Sequence, residues 1–270
     1  MAAAGRRESR LETCFARIRK ERRTGLVTYV TAGDPNLERT PGVLAAVASG
    51  GADVIELGIP FSDPLADGPV IQRASERALA AGTTLERALD MLSGVRESLS
   101  PPVVLFTYAN PLLRLGAERF AARAAAAGVD GVLALDLPIE EAGPLRQTLS
   151  ASGIDTIFLL SPTTSRARIE QAAALGQGFL YGISRLGVTG ARPALSADAA
   201  ALAKRVREVT SMPLALGFGV STPEHVAEIG RFADAAVVGS ALVSVIAAAG
   251  ASAELDGRVT EYVRWLSGRA

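Results

Sequence analysis

Eight short apolar runs recur along this chain: Leu26–Thr31, Val54–Gly58, Val103–Tyr108, Gly131–Asp136, Thr156–Leu160, Phe179–Ile183, Pro213–Leu216 and Ala235–Val238. Stretches rich in Ala, Leu, Arg and Glu separate them, with helical spacing in, for example, Phe120–Ala127 and Ala199–Val209. Strand–helix alternation of this kind favours a parallel sheet, because the crossover helices cover its faces. Eight such units in about 250 residues is the usual size of a (β/α)8 barrel. The competing architecture, a doubly wound open sheet, places a glycine-rich dinucleotide turn after the first strand. That position holds Thr31-Ala32-Gly33-Asp34-Pro35, which lacks the G-x-G-x-x-G spacing. The chain is therefore expected to be α/β, a single (β/α)8 TIM barrel domain over 1–270. Within it, 1–25 forms an extra N-terminal helix, 26–250 the barrel core and 251–270 a C-terminal helix.

Helix starts are also legible. Thr83 with Glu86 reads as a capping box, and so does Ser221 with Glu224. Thr222-Pro223 equally suits a start with proline at the first helical position. Cys14, close in sequence to Leu11, Phe15 and Ile18, is expected to pack on an early helix.

Composition excludes several classes. Lys and Arg number 28, as do Asp and Glu, so the formal net charge is zero and gives no footprint for nucleic acid or an acidic membrane surface. One cysteine cannot form an internal disulfide, and a single histidine beside it makes zinc sites and His- or Cys-dependent triads poor readings. Ala235–Ala249, the most apolar run, is broken by Gly239, Ser240 and Ser244 and is too short to span a bilayer. No signal-like segment follows Met1, and the expected location is cytoplasmic.

Glu56 is the residue that points to chemistry. It lies inside the mostly apolar run Ala52–Pro60, and a Gly/Pro-rich loop carrying Asp63 and Asp67 follows. A buried carboxylate is costly unless paired, or its pKa rises, and acid–base enzymes exploit that position. In a barrel the strand C-termini share one face, so Asp34, Glu56, Asp67, Tyr108, Asn110, Asp136, Ser161, Tyr181, Ser184, Gly217–Gly219 and Gly239-Ser240 are expected to converge. Phosphate is often bound after strands seven and eight, where Gly217-x-Gly219 and Gly239-Ser240 stand, with Gly187–Gly190 following strand six. Taken singly, Asp67 fits a turn, Asp63 a turn or an interface, Asp136 a loop, Asp53 a cap or surface group, and His225 the surface of a first helical turn.

Glu56-Leu57-Gly58-Ile59-Pro60-Phe61-Ser62-Asp63-Pro64-Leu65-Ala66-Asp67-Gly68-Pro69, followed by Ile71-Gln72, closely resembles the signature of the tryptophan synthase α subunit family. Thr31–Pro35, Tyr108–Pro111, Asp136–Glu141, Ser184–Gly190 and Gly217–Val220 resemble it in the same order. The resemblance implies a (β/α)8 barrel and a lyase that cleaves indole-3-glycerol phosphate to indole and glyceraldehyde 3-phosphate. No metal or organic cofactor is implied in this chain. By the same resemblance Glu56 is the base for the glycerol hydroxyl and a proton shuttle to indole C3, Asp67 steadies charge at the ring nitrogen, and Tyr181 lies near Glu56. Tyr29, Phe106 and Phe218 wall the indole, Tyr108 and Thr189 complete the substrate contacts, and Gly190, Gly219, Gly239 and Ser240 hold phosphate. A pyridoxal-phosphate-dependent β subunit is the implied partner in an α2β2 assembly. It would face Pro60–Pro64 and Leu137–Ile139, where apolar residues have acidic neighbours.

Thr28 stands where the family often has proline, which removes no catalytic group. The alternative is a stand-alone paralogue that releases free indole. A Schiff-base aldolase fits less well, since the lysines are only Lys20 and Lys204 and neither lies in a strand run. The segments Pro60–Gln72 and Arg185–Ser196 are expected to close over bound ligand.

Overall fold

The computed structural model describes residues 8–183, 197–217 and 219–268. Among the described residues nine parallel strands form one sheet: β1 (Gly25–Thr31), β2 (Val54–Gly58), β3 (Val103–Thr107), β4 (Gly131–Ala134), β5 (Asp155–Thr156), β6 (Phe158–Leu160), β7 (Leu180–Ile183), β8 (Leu214–Gly217) and β9 (Ala235–Val238). Their order, β5-β4-β3-β2-β1-β9-β8-β7-β6, joins the first strand to the last. The fifth expected run is split. β5 pairs with β4 and β6 with β7, and the chain passes from one to the other at Ile157, whose amide still bonds Val132 O at 2.9 Å. Nine pieces thus fill eight barrel positions.

The helices are α1 (Arg10–Lys20), α2 (Thr40–Ser49), α3 (Pro69–Ala80), α4 (Leu85–Val95), α5 (Ala109–Leu115), α6 (Ala117–Ala126), α7 (Gly143–Ala151), α8 (Arg166–Leu175), α9 (Ala197–Arg207), α10 (Pro223–Ile229), α11 (Ser240–Ala249) and α12 (Leu255–Ser267). Two expected capping boxes move by one residue, and the second moves to the Thr222-Pro223 start that the sequence also offers. Thr84, not Thr83, caps α4 by accepting the Arg87 amide, and Thr222, not Ser221, caps α10 by accepting the His225 amide. In each case the displaced residue precedes an extended threonine, whose backbone geometry suits the cap.

Strand alternation sorts the apolar residues into two layers. Outward-facing Leu26, Val30, Ile55, Leu57, Val103, Leu105, Leu214 and Leu216 pack under the helices. Inward-facing Val27, Tyr29, Val54, Val104, Phe106, Leu133, Tyr181, Ala215 and Val237 fill the barrel. The amphipathic helix α1 closes the bottom. Its Leu11, Cys14, Phe15 and Ile18 join the inner layer, with Phe15 5.1 Å from Phe179 between ring centroids. Cys14 packs there as expected.

A polar ring surrounds that plug. Asp53 accepts the Leu26 amide (3.0 Å) and two Arg23 bonds (2.6 and 2.7 Å). Asp130 accepts the Val103 amide and Arg96, Asp234 accepts the Leu214 amide and Arg19, and Asp155 accepts the Ser9 hydroxyl. Asp53 is a cap, as one of its two readings had it, but it is not a surface group: it is 1% exposed, because a bidentate arginine neutralises it. His225 is likewise not at the surface. It is buried, and its Nδ1 faces the Ser221 amide at 3.4 Å, because α10 turns that side chain back over its own N-terminal loop.

Candidate active site

The pleat of β2 decides where Glu56 points. Val54 faces the barrel interior and Ile55 and Leu57 face the helices, so Glu56 faces inward by period two. Register sets Tyr29 of β1 and Val104 of β3 beside it. Tyr29 meets Phe106 edge to face at 5.1 Å, and Phe106 lies 6.4 Å from Tyr181. Three of the expected residues therefore form one aromatic chamber around the carboxylate. Gly58 makes the chamber possible, since a Cβ there would lie 2.1 Å from the Tyr29 hydroxyl oxygen.

Glu56 is fully buried, and among the described residues neither carboxylate oxygen has a hydrogen-bond partner. Desolvation disfavours its charged form and pushes its pKa up to about 8. The Tyr181 hydroxyl lies beside it and tempers the rise without meeting it in hydrogen-bond geometry. Burial also raises Tyr181 and Tyr29 well above the usual phenol range, so both hydroxyls stay protonated.

Asp67 reaches the same chamber from the β2–α3 loop and is 6% exposed. Its Oδ2 accepts the Tyr108 hydroxyl at 3.0 Å, and that hydroxyl accepts the Ala66 amide, also at 3.0 Å. Burial lifts Asp67 to about 6, and the Tyr108 bond restrains the rise. Tyr108 is in turn stacked on Phe61 at 4.9 Å. The sequence placed Tyr108 among substrate contacts; the structure gives it a bond to Asp67.

Ser240 opens the first turn of α11, and its hydroxyl is buried with no partner among the described residues. Gly239 precedes the helix and, having no side chain, supplies no cap to the first-turn amides. Gly219, after β8, holds φ +78°, a conformation that suits glycine. A helix N-terminus, an orphan hydroxyl and a glycine loop on one rim suit an anion. Thr189, Gly190 and Phe218 lie outside the described residues, as do Ser184 and the whole segment Arg185–Ser196.

Other strand-end polar residues brace loops. Asp34, 1% exposed, takes two bonds from Arg77 (2.8 and 2.9 Å). Asp136 accepts the Ala109 amide at 2.7 Å, and Ser161 bonds Thr163 and Thr164. Asp63 is exposed and accepts the Ser62 hydroxyl. Of the second expected interface segment, Ile139 is buried in the outer layer, leaving Pro138 exposed and Leu137 half-buried. Among the described residues no three His, Cys, Asp or Glu side chains gather as a metal site would require. Gln72, noted in the sequence only as part of a signature, bonds the Asp67 carbonyl at 2.8 Å.

Comparison with known proteins adds the family. The profile of the tryptophan synthase alpha chain matches residues 15–265. The tryptophan synthase alpha chain of Solibacter usitatus is 50% identical over 258 residues, covering 96% of this chain and 97% of that one. That of Geobacter sulfurreducens is 48% identical over 255 residues, covering 94% and 96%. Among solved structures, a Mycobacterium tuberculosis tryptophan synthase chain superposes with a TM-score of 0.88 at 35% identity, covering 96% and 97%. The Legionella pneumophila subunit alpha gives 0.88 at 36%, with the same coverage.

Proposed function

Because the chain belongs to the tryptophan synthase alpha chain family, the lyases that split indole-3-glycerol phosphate into indole and glyceraldehyde 3-phosphate, we propose that Glu56, Asp67 and Tyr181 carry this cleavage. The observation that carries the proposal is the pair of inward carboxylates with opposite environments. Glu56 is sealed among rings, and Asp67 is held by a phenol. Environments that separate two pKa values assign an acid and a base.

With a pKa of about 8, Glu56 enters the cycle protonated near neutrality. It gives its proton to indole C3, and the ring nitrogen takes up the positive charge. Asp67, ionised above about pH 6, faces that nitrogen and steadies the charge. The Glu56 carboxylate then removes the proton from the glycerol hydroxyl. The carbonyl forms, the carbon–carbon bond breaks, and its electron pair restores the indole ring. Glu56 ends the cycle protonated, so no external acid is consumed. The Tyr181 hydroxyl stabilises the transient carboxylate.

Tyr29 and Phe106 form the indole walls, with Phe218 as a further wall, and Tyr108 lines the same space. Gly219, Gly239 and Ser240, with Thr189 and Gly190, receive the phosphate through backbone amides, the α11 N-terminus and a hydroxyl. The orphan Ser240 oxygen supports that reading. All cofactor chemistry is assigned to the β partner, where pyridoxal phosphate would supply the chemistry that joins indole to serine.

The docking face for β is the rim around the first loop. Leu65 is 87% exposed there, and a groove of about 520 Å³ lined by Pro60, Phe61, Asn110 and Arg114 runs beside it. An α2β2 assembly and a cytoplasmic location belong to the same proposal. Among the described residues no helix is long and apolar enough to cross a membrane. The near-full-length alpha-chain relatives favour the subunit over a stand-alone indole producer.

The test is direct. Purified chain incubated with indole-3-glycerol phosphate should release indole, faster when a β subunit is added. Glu56→Gln and Asp67→Asn should each lower turnover by roughly 10²–10⁴-fold with the fold retained. Near-normal turnover in either variant removes that residue from the mechanism.

A further inference from the structure

The loop that carries Asp67 has few means of holding its own shape. Pro60, Pro64 and Pro69 lack an amide hydrogen, and Ser62, Asp63 and Leu65 are exposed. Its internal backbone bonds are Leu65 N to Asp63 O (2.8 Å) and Asp67 N to Pro64 O (3.0 Å). Two side chains from outside grip its second half. Tyr108 holds the Ala66 amide and the Asp67 carboxylate from the β3 end. Gln72, in the first turn of α3, reaches back from the other side. Its Nε2 donates to Asp67 O at 2.8 Å and to Pro64 O at 3.4 Å.

Gln72 is well placed to act as a fixed post. Its own amide bonds Gly68 O at 2.9 Å, seating it in the helix. Its neighbour Ile71 is 5% exposed and sits in the inner layer. Arg77, further along α3, is tied to buried Asp34 by two bonds. The helix is thus anchored to the barrel before and after Gln72, and the side-chain amide transfers that rigidity to the loop.

We propose that Gln72 is a positioning residue for the reaction: its side-chain amide clamps the backbone at Pro64 and Asp67 so that the Asp67 carboxylate stays enclosed against Tyr108. The proposal rests on the reading of Asp67 as the group that steadies charge on the indole nitrogen. Gln72 touches only backbone oxygens, so its effect on chemistry passes through the loop. Without the clamp, Asp67 gains access to water and drifts from its partner, and displacements of about 1 Å cost up to roughly 100-fold in rate. Binding of the phosphate end, built on α11 and the loop after β8, is left intact.

The experiment compares Gln72→Met, Gln72→Glu and Gln72→Lys with the unaltered chain, each assayed with a β subunit present and each checked by circular dichroism. Met removes the donors at similar size, Glu replaces them with acceptors facing two carbonyls, and Lys restores donors. Met and Glu should lower kcat by about 10- to 100-fold with KM within about threefold. The acid limb of kcat/KM should also move from near 6 toward the ordinary carboxylate value, because Asp67 loses its enclosure. Lys should recover most of the rate. A Met variant with kcat within about threefold of the parent overturns the proposal. So does a loss of rate or stability in which the acid limb stays put and Lys gives no recovery. Asp67→Asn, run in parallel, separates the two readings. If it is inactive while the Gln72 variants are normal, only the clamp fails; if it is active, the role of Asp67 fails first.

Discussion

The Tyr108 hydroxyl donates to Asp67 Oδ2 at 3.0 Å and accepts the Ala66 amide at the same distance, so one oxygen fixes both the charge and the backbone of the same loop. The bond favours the ionised carboxylate and opposes the rise that burial causes.

A bell-shaped kcat/KM profile follows. Asp67 must be ionised, so the rate falls as pH drops through about 6. Glu56 must start protonated, so the rate falls as pH rises through about 8. Tyr108→Phe removes a donor to the charged form, so the acid limb should move upward while the alkaline limb stays in place. Steady-state rates from pH 5 to 9 measure both limbs, and an acid limb unmoved in the phenylalanine variant counts against the bond as a determinant of Asp67.

Glu56 also writes itself into stability. Its folded pKa lies above the unfolded value, so the folded state binds the extra proton between about pH 4.5 and 8. The stability contribution is fully present below about pH 4.5 and is lost as pH rises through about 8. Glu56→Gln keeps the size and cannot ionise. Its melting temperature should match the parent near pH 4.5 and exceed it by about 3 °C or more at pH 9. Equal melting curves at pH 9 would mean that the carboxylate reaches water in solution.

At the phosphate end, Ser240→Ala removes the orphan hydroxyl without disturbing a bond seen within the described residues. KM for indole-3-glycerol phosphate should rise about 10- to 150-fold, the loss of one hydrogen bond to a charged group, with kcat nearly unchanged. Titration with glycerol phosphate checks the same loss in the absence of turnover. A KM unchanged by the substitution would place the phosphate elsewhere.

At the opposite end, Asp53→Ala should separate stability from activity. It strands the Leu26 amide and leaves Arg23 without its bidentate partner. Arg23 is 24% exposed and keeps Glu21, so the cost is mainly that of the stranded buried amide and the lost charged hydrogen bonds, about 1–3 kcal/mol. Urea unfolding should show that loss, while kcat changes by less than about twofold because the chamber lies at the other rim.

The sequence carried the barrel because period-two runs and helical stretches are local properties. Glu56 was legible for the same reason: an acid among β-branched neighbours is conspicuous wherever the strand ends. Asp67 reads as a turn residue by itself, since its character comes from a phenol 41 positions away. Asp53 and His225 resisted reading for a related reason. Whether a polar residue is buried depends on its partners, and Arg23 is 30 positions from Asp53. Gln72 is near Asp67 in sequence, yet its role depends on where the loop turns back, which no periodicity records. The break at Ile157 leaves no mark in the sequence, because both halves of that run have strand composition.

The plug at the barrel floor gives the chain an order of events. Ser9 meets Asp155 across 146 positions, and Arg19 meets Asp234 across 215. Helix α1 is therefore made well before these partners, Asp155 in mid-chain and Asp234 just ahead of β9, and its apolar face is fully covered only late in translation. Until β9 arrives, no floor exists for it to seal.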